Sequence, residues 1–380
     1  MAAPVRVLEL LVSTDLGGGP GHVRDLVEAL PRDEFTITVG GPGGGPYEAE
    51  FRALGADFED VRADRLSPGA LGRVIAIARR RRVQIIHSHG KGAGLYGRVA
   101  ARLVGAAAIH TFHGIHHEAY PRLYLHIERA LARRSFAVIH VSESQARAAA
   151  ALGLAPAGRS RVIVNGIDPG RVQAAVARAP LARASLGLEP GAPVLGTVAR
   201  FDPIKALDVL LCAFARLGAD VPTARLLVVG DGPEAPRLRT LARELGVDGR
   251  VVFTGARPDA VRCLPLMDVY VSASRREGLP LAVLEAMACE RPVVATRVPG
   301  HEDVVEDERT GVLVAADDPA ALAAATAALL ADAPRRAALG AAGRLRVESR
   351  FTRARMVAEV ADLYREAAGF PRGAAPRRGV

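Results

Sequence analysis

Glu277 and Glu285 lie eight residues apart and bracket Gly278-Leu279-Pro280 within the stretch Ser272 to Ala288. Pro280 suits the first turn of a helix, where its missing N–H costs no hydrogen bond. Glu277 then sits in the preceding loop, the amides of Gly278 and Leu279 lie at the positive helix end, and Glu285 falls about one and a half turns in. Leu281, Leu284 and Ala288 read as the core stripe, with Glu285 offset from it. One carboxylate from a loop and one from a helix can then reach a single bound ligand. A solvated helix face accounts for Glu285 alone, but not for the whole assembly.

Arg200 and Lys205, five residues apart, follow a separate short apolar run. Two cations in a strand-to-helix loop can neutralise a diphosphate without a metal ion; the alternative is a pair of exposed cations. Lys205 and Lys91 are the only lysines in a chain that otherwise uses arginine. Gly17-Gly18-Gly19 follows the first apolar run and opens a helical pattern, which lets a backbone approach an anion closely. Its spacing is not that of a dinucleotide fingerprint, and a plain flexible turn is the alternative. His87-Ser88-His89-Gly90 and Thr111-Phe112-His113-Gly114-Ile115-His116-His117 are polar clusters after apolar runs. Without a metal-site pattern of carboxylates beside them, hydrogen bonding from His113 to a ligand hydroxyl is favoured over a metal site, and ordinary polar surface stays open.

These residues share one context: each follows a short apolar run without alternation, the mark of a buried parallel strand. Such runs occur at Val5–Val12, Phe35–Val39, Val83–His87, Ala107–Thr111, Phe136–Val141 and Arg161–Val164. A second series comprises Val194–Ala199, Leu226–Val229, Val251–Thr254, Val269–Val271, Val293–Ala295 and Val312–Val314. Helical patterns separate most of them, so the chain reads as α/β with two doubly wound sheets, whose ligands bind beyond the carboxyl ends of the strands. The Ala-, Arg- and Pro-rich segment 173–193 marks the junction. The expected division is 1–178, 179–350, a helix over 351–370 with a stripe at Met356, Val357, Val360, Leu363 and Tyr364, and a flexible tail at 371–380.

Composition narrows the class. Hydrophobic residues are 49% and charged residues 24% of the 380, which is globular, and aromatics are only 4%, so cores must be built from Ala, Val and Leu. A net charge of +9 raises nucleic acid and anionic membranes as partners. Nucleic acid lacks the aromatic interleaving it would favour. Arg79–Arg82 and Arg133-Arg134 read either as solvated helix ends or as contacts for an anionic membrane surface. Cys212, Cys263 and Cys289 are scattered among apolar residues and fit reduced thiols in a cytoplasmic protein. No leader segment or membrane span is evident in the sequence.

Across nearly its whole length the chain resembles the retaining glycosyltransferases of family 4 type (glycosyl transferases group 1). The motifs are the Gly17–Gly19 loop, His113-Gly114, Asn165-Gly166-Ile167-Asp168, Arg200 with Lys205, Gly230-Asp231-Gly232-Pro233, and Glu277 through Glu285. The last block is the specific one. The resemblance implies the GT-B fold, two Rossmann-like domains facing a cleft, with the C-terminal helix crossing back to the first. It implies that Arg200 and Lys205 bind the donor diphosphate, Glu277 the transferred sugar, and Glu285 the ribose. Gly278, Leu279 and Pro280 would hold the phosphate, and His113, Gly17 and Gly18 would act from the opposite wall. Neither metal nor cofactor is implied beyond a UDP- or GDP-linked sugar as co-substrate. The acceptor would be a sugar, a lipid-linked or another small molecule at the inner face of the membrane. The family usually has Gly after the lysine, where this chain has Ala206. A nucleotide-sugar epimerase and an inactive nucleotide-binding scaffold are the rival readings.

Overall fold

The apolar runs become parallel strands, buried in the middle of each sheet and half-exposed at the edges formed by the runs at Arg161–Val164 and Val251–Thr254. A computed structural model describes residues 3–15, 17–63, 67–114, 122–178 and 181–369. These form two compact units, one running to Asn165 and resuming at Arg353, the other spanning Gly166–Thr352.

The first unit holds β1 (Val5–Leu11), β2 (Phe35–Gly41), β3 (Asp57–Asp60), β4 (Ile85–His89), β5 (Ala107–Phe112), β6 (Ala137–His140) and β7 (Ser160–Val162). All pair in parallel in the order β3-β2-β1-β4-β5-β6-β7. Helices α1 (Gly18–Ala29), α2 (Pro46–Ala53), α3 (Pro68–Arg80), α4 (Lys91–Val104), α5 (Arg122–Ala132) and α6 (Glu143–Ala151) make the crossovers. The order reverses between β1 and β4, so the loops after those strands border the crevice where such sheets bind ligands. In register, Glu9 stands opposite His87 and Leu11 opposite His89.

The second unit holds α7 (Pro169–Arg178), β8 (Val194–Val198), α8 (Leu207–Leu217), β9 (Arg225–Val229), α9 (Ala235–Glu244), β10 (Val251–Phe253), β11 (Val269–Ser272) and α10 (Leu281–Ala288). It continues through β12 (Val293–Thr296), α11 (Pro299–Val304), β13 (Val312–Val314), α12 (Pro319–Ala331) and α13 (Ala333–Arg350). Its parallel sheet runs β10-β9-β8-β11-β12-β13, with the reversal between β8 and β11. The loops after those two strands carry Arg200, Lys205 and Glu277.

The last helix, α14 (Arg353–Ala368), belongs to the first unit. Its stripe Met356, Val357, Val360, Leu363 and Tyr364 is buried in one core with Val7, Leu26, Ile85 and Ile109. Each such side chain stabilises the fold by about 1.5–3 kcal/mol on burial.

Four expectations change. The units divide at Asn165/Gly166 rather than near 178, because α7 buries Val172 and packs on α10 and the turn Ala260–Leu266. Strand β3 has no apolar run in the sequence: it is an edge strand with one buried residue, Phe58. Helix α10 buries Val283, Leu284, Ala286, Met287 and Ala288, whereas Leu281 is half-exposed, so the helix is sunk on most sides. The final helix starts at Arg353, since Thr352 bridges to Ile167 within the second unit. Ile115, His116, His117 and the tail 371–380 lie outside the described residues.

Candidate functional site

In the second unit the chain leaves β8 at Val198 and crosses the loop after β9 in direct backbone contact. Phe201 N–H donates to Asp231 O at 2.8 Å, and Glu234 N–H donates to Phe201 O at 3.0 Å. Only glycine allows this approach: a Cβ on Gly230 would lie 1.9 Å from Ala199 O, and one on Gly232 2.7 Å from Phe201 O. The chain then makes a single 3₁₀ turn, Pro203–Lys205, and enters α8 through Ala206 in the left-handed region at φ +49°. That conformation strains any residue with a Cβ, which is the physical reason glycine suits this position.

Lys205 Nζ donates to both oxygens of Glu277, at 2.7 and 2.9 Å, and Ser274 Oγ donates to Oε1 at 2.7 Å. Burial by itself would push the Glu277 carboxyl up. The Lys205 ammonium, the nearby His301 and these hydrogen bonds outweigh it and hold the group below its ordinary value. Arg275 ties the two loops together: its N–H donates to Ile204 O at 2.8 Å, its Nη1 to Pro203 O at 2.7 Å, and its guanidinium pairs with Asp208 and Asp317. Arg200 is exposed on its loop and pairs with Asp202. Gly278 and Leu279 lead into Pro280, the residue that caps α10, and the Leu279 side chain is buried. Glu285 is the only ionisable residue on α10 and falls on its half-exposed strip with Leu281 and Ala282. Lys205 and Glu277 thus meet across 72 residues of sequence.

Two residues escaped the sequence reading. Gly300, in the first turn of α11, lies against Glu277; a Cβ there would sit 2.7 Å from Glu277 O. His301, fully buried, donates Nδ1–H to Thr296 O at 2.8 Å, which leaves Nε2 to accept from Ser272 Oγ at 2.9 Å. The signal was Pro299-Gly300-His301 directly after an apolar strand.

In the first unit, histidines converge at the β1/β4 reversal. His89 Nδ1 lies 2.9 Å from His113 Nε2, and His89 Nε2 lies 2.8 Å from Glu9 Oε2. Tyr364 of α14 donates to Glu9 Oε1 and contacts His87 Nδ1 at 2.6 Å, while His87 Nε2 meets Thr111 Oγ1 at 2.7 Å. His22 Nδ1 bonds Asn165 Oδ1 at 2.9 Å, and its ring stands edge-on to His113. Desolvation, then repulsion among the rings, lowers His113 well below its ordinary value; desolvation first, with His87 adding to it, pushes His89 down to about 4. Burial opposes ionisation of Glu9, yet His87 and His89 hold its pKa below the ordinary value. No carboxylate stands beside His87 or His89 in the sequence; the fold supplies Glu9, from a strand whose only other charge is Arg6. Glu9, His87 and His89 bring potential ligand atoms within 4.8 Å of one another. His113 also packs beneath Gly19, where a Cβ would lie 3.6 Å from its ring, whereas Gly17 and Gly18 are exposed with open space around them.

Both units are similar to known proteins. Residues 16–171 match the family model described as Glycosyltransferase Family 4, and residues 192–332 match Glycosyl transferases group 1. A putative glycosyltransferase EpsD of Bacillus subtilis is 32% identical over 293 residues, 74% of this chain and 76% of that protein. D-inositol 3-phosphate glycosyltransferase 2 of Catenulispora acidiphila is 35% identical over 303 residues, 74% and 70% of the two chains. The crystal structure of Anabaena Alr3699/HepE in complex with UDP-glucose superposes with a TM-score of 0.86 at 22% identity, over 95% of this chain and 99% of that one, a likeness of fold.

Proposed function

Because the chain belongs to the group 1 glycosyltransferases, of GT-B fold, and so transfers sugar from a nucleotide sugar, we propose that it is a retaining hexosyltransferase working without a metal ion or other cofactor. The carrying observation is the Lys205–Glu277 pair at the β8/β11 reversal. The buried Glu277 carboxylate is held ionised by the Lys205 cation, and a diphosphate arriving beside Lys205 shares that cation with Glu277. Arg200, exposed on the same loop, adds a second positive group. Gly278, Leu279 and Pro280 present the start of α10 to the phosphates, and Glu285 takes the ribose hydroxyls. Glu277 accepts a hydroxyl of the transferred sugar. In the first unit, Gly17, Gly18 and His113 are assigned to substrate hydroxyls.

The chemistry follows from what the loops can stabilise. The bond from the anomeric carbon to the phosphate oxygen breaks, and the negative charge that develops there meets Lys205 and Arg200. The acceptor hydroxyl attacks on the same face, and its proton passes to the departing phosphate. UDP- or GDP-linked hexoses are the donors, in keeping with the UDP-glucose complex of the Anabaena protein. An inositol phosphate is the acceptor suggested by the name of the Catenulispora relative, with a glycolipid or polysaccharide end as the alternative.

No helix among the described residues is long and apolar enough to cross a membrane. Helix α5 instead exposes Leu123 and Ile127 beside Arg122, with Arg133 and Arg134 exposed just beyond its end. This supports a cytoplasmic enzyme that touches an anionic membrane from the side. The earlier run is a weaker candidate, since Arg80 and Arg81 pair with Glu59 and Asp57.

The deciding experiment incubates the protein with UDP- and GDP-hexoses plus a chelator and measures nucleotide release, then the anomeric configuration of the product. Release with a retained centre supports the reading. An inverted centre, or release only when a divalent cation is restored, overturns it.

A further inference from the structure

The histidine cluster has a direction, which follows from its one fixed charge. An ionised carboxylate only accepts hydrogen bonds. Glu9 therefore takes Tyr364 O–H on one oxygen and His89 Nε2–H on the other. His89, neutral and protonated on Nε2, has a bare Nδ1, so the 2.9 Å contact to His113 is a bond that His113 donates from Nε2. His113 is then bare at Nδ1. That atom is buried and has no hydrogen-bond partner among the described residues.

The other branch runs the same way. Tyr364, having donated its proton, accepts from His87 Nδ1–H, and His87 Nε2 contacts Thr111 Oγ1. His22 donates Nδ1–H to Asn165 Oδ1, and its Nε2 is a second buried lone pair without a partner among the described residues. Both of these unsatisfied ring nitrogens are acceptors. Desolvation and mutual repulsion keep His22, His89 and His113 neutral at pH 7.

We propose that Glu9 and His89 are positioning residues which, through the Glu9–His89–His113 chain, fix His113 as an obligate hydrogen-bond acceptor, so that the substrate hydroxyl it meets is bound only as a donor. This rests on the reading that His113 meets substrate. An unsatisfied buried acceptor is costly until a ligand hydroxyl reaches it, and a sugar hydroxyl has the proton it lacks. The arrangement discriminates: a substituent that only accepts, such as fluorine in place of that hydroxyl, finds no complement at His113.

The first test is nitrogen-15 NMR of histidine-labelled protein at pH 7, which separates the two neutral tautomers and the imidazolium by their ring nitrogen shifts. His89 and His113 are expected as single neutral species protonated on Nε2; His113 protonated on Nδ1, or charged, overturns the proposal. The second test is a double-mutant cycle on transfer. Glu9→Gln, whose amide can either donate or accept, is expected to mix the tautomers of His113 and lower kcat/KM about tenfold, with Glu9→Asp restoring most of it. Added to His113→Ala, Glu9→Gln should cost nothing more, because its effect passes through that ring. A full additional loss in the double variant overturns the proposal, as does a stoichiometric metal ion in the purified protein bound by Glu9, His87 and His89. If His113→Ala transfers at the wild-type rate while the tautomers stand as expected, the assignment of His113 to substrate is the part that fails, and the proposal falls with it.

Discussion

The two sheet reversals hold opposite solutions to one problem, an ionised glutamate in an apolar surrounding. At β1/β4, Glu9 is balanced by neutral donors, His89 and Tyr364, and the whole assembly is buried. At β8/β11, Glu277 is balanced by a full positive charge, and Lys205 keeps a quarter of its side chain exposed. The first arrangement is closed and fixes hydrogen-bond direction. The second has a cation that an incoming anion can share. Placement at a reversal does not by itself decide which kind of site results; the partner of the carboxylate does.

Replacing Glu277 by Gln should separate the two sites most sharply. With the charge gone and the shape kept, kcat/KM should fall roughly a thousandfold, with little change in the melting temperature. Near-normal transfer by a folded variant would make the ion pair structural.

Acid should separate them next. The buried imidazoles have folded pKa values below their unfolded 6.5, about 4 for His89 and about 3 for His22. The unfolded chain therefore binds more protons as pH falls below 6.5, and each of these two rings costs the first unit on the order of 3 kcal/mol by pH 4. Glu277 has its folded pKa lowered from 4.5, so its contribution is present above that value and is lost only as pH falls through the folded one. Hydrogen exchange followed by mass spectrometry from pH 7 to 4 should show β1 and β4 loosening before β8 and β11. Simultaneous loosening would break the contrast.

Gly300→Ala is a finer probe. Its methyl would meet Glu277 O at 2.7 Å and Glu277 Cβ at 2.6 Å, so the carboxylate must shift. A displacement of this kind is expected to lower kcat/KM by about ten- to a hundredfold, read in the nucleotide-release assay, and to leave the histidine NMR signals of the first unit unmoved. Ala206→Gly should do least. It relieves roughly 1 kcal/mol of left-handed strain but gives up a buried methyl of similar worth. The melting temperature should stay within about 2 °C.

How much of this was legible follows the same division. Glu277 and Lys205 could be paired because each sits in a loop after an apolar strand, and strand ends are readable from local pattern. Glu9 could not: inside Val5–Leu11 it is the lone carboxylate of an otherwise mostly apolar run, and its partners lie 80 and 355 residues away. Gly300 and His301 were missed because their role depends on α11 lying against the Glu277 loop, a tertiary fact. Strand β3 was invisible because pairing with β2 at the sheet edge, not apolar content, makes it a strand. The junction was misplaced because composition marks it at 173–193, while packing assigns α7 to the second unit.

Helix α14 carries a consequence for how the protein is made. The first unit is synthesised early, yet its core is completed by residues that emerge only after the whole of Gly166–Thr352. At ribosomal rates that interval is roughly 10–40 s, during which Val7, Ile85 and Ile109 lack their cover and Glu9 lacks Tyr364. The second unit, continuous in sequence, has no such wait and can fold first. The nascent first unit is thus a substrate for chaperones throughout that interval, and a ribosome stalled before α14 would hold a folded second unit beside an unfinished first one.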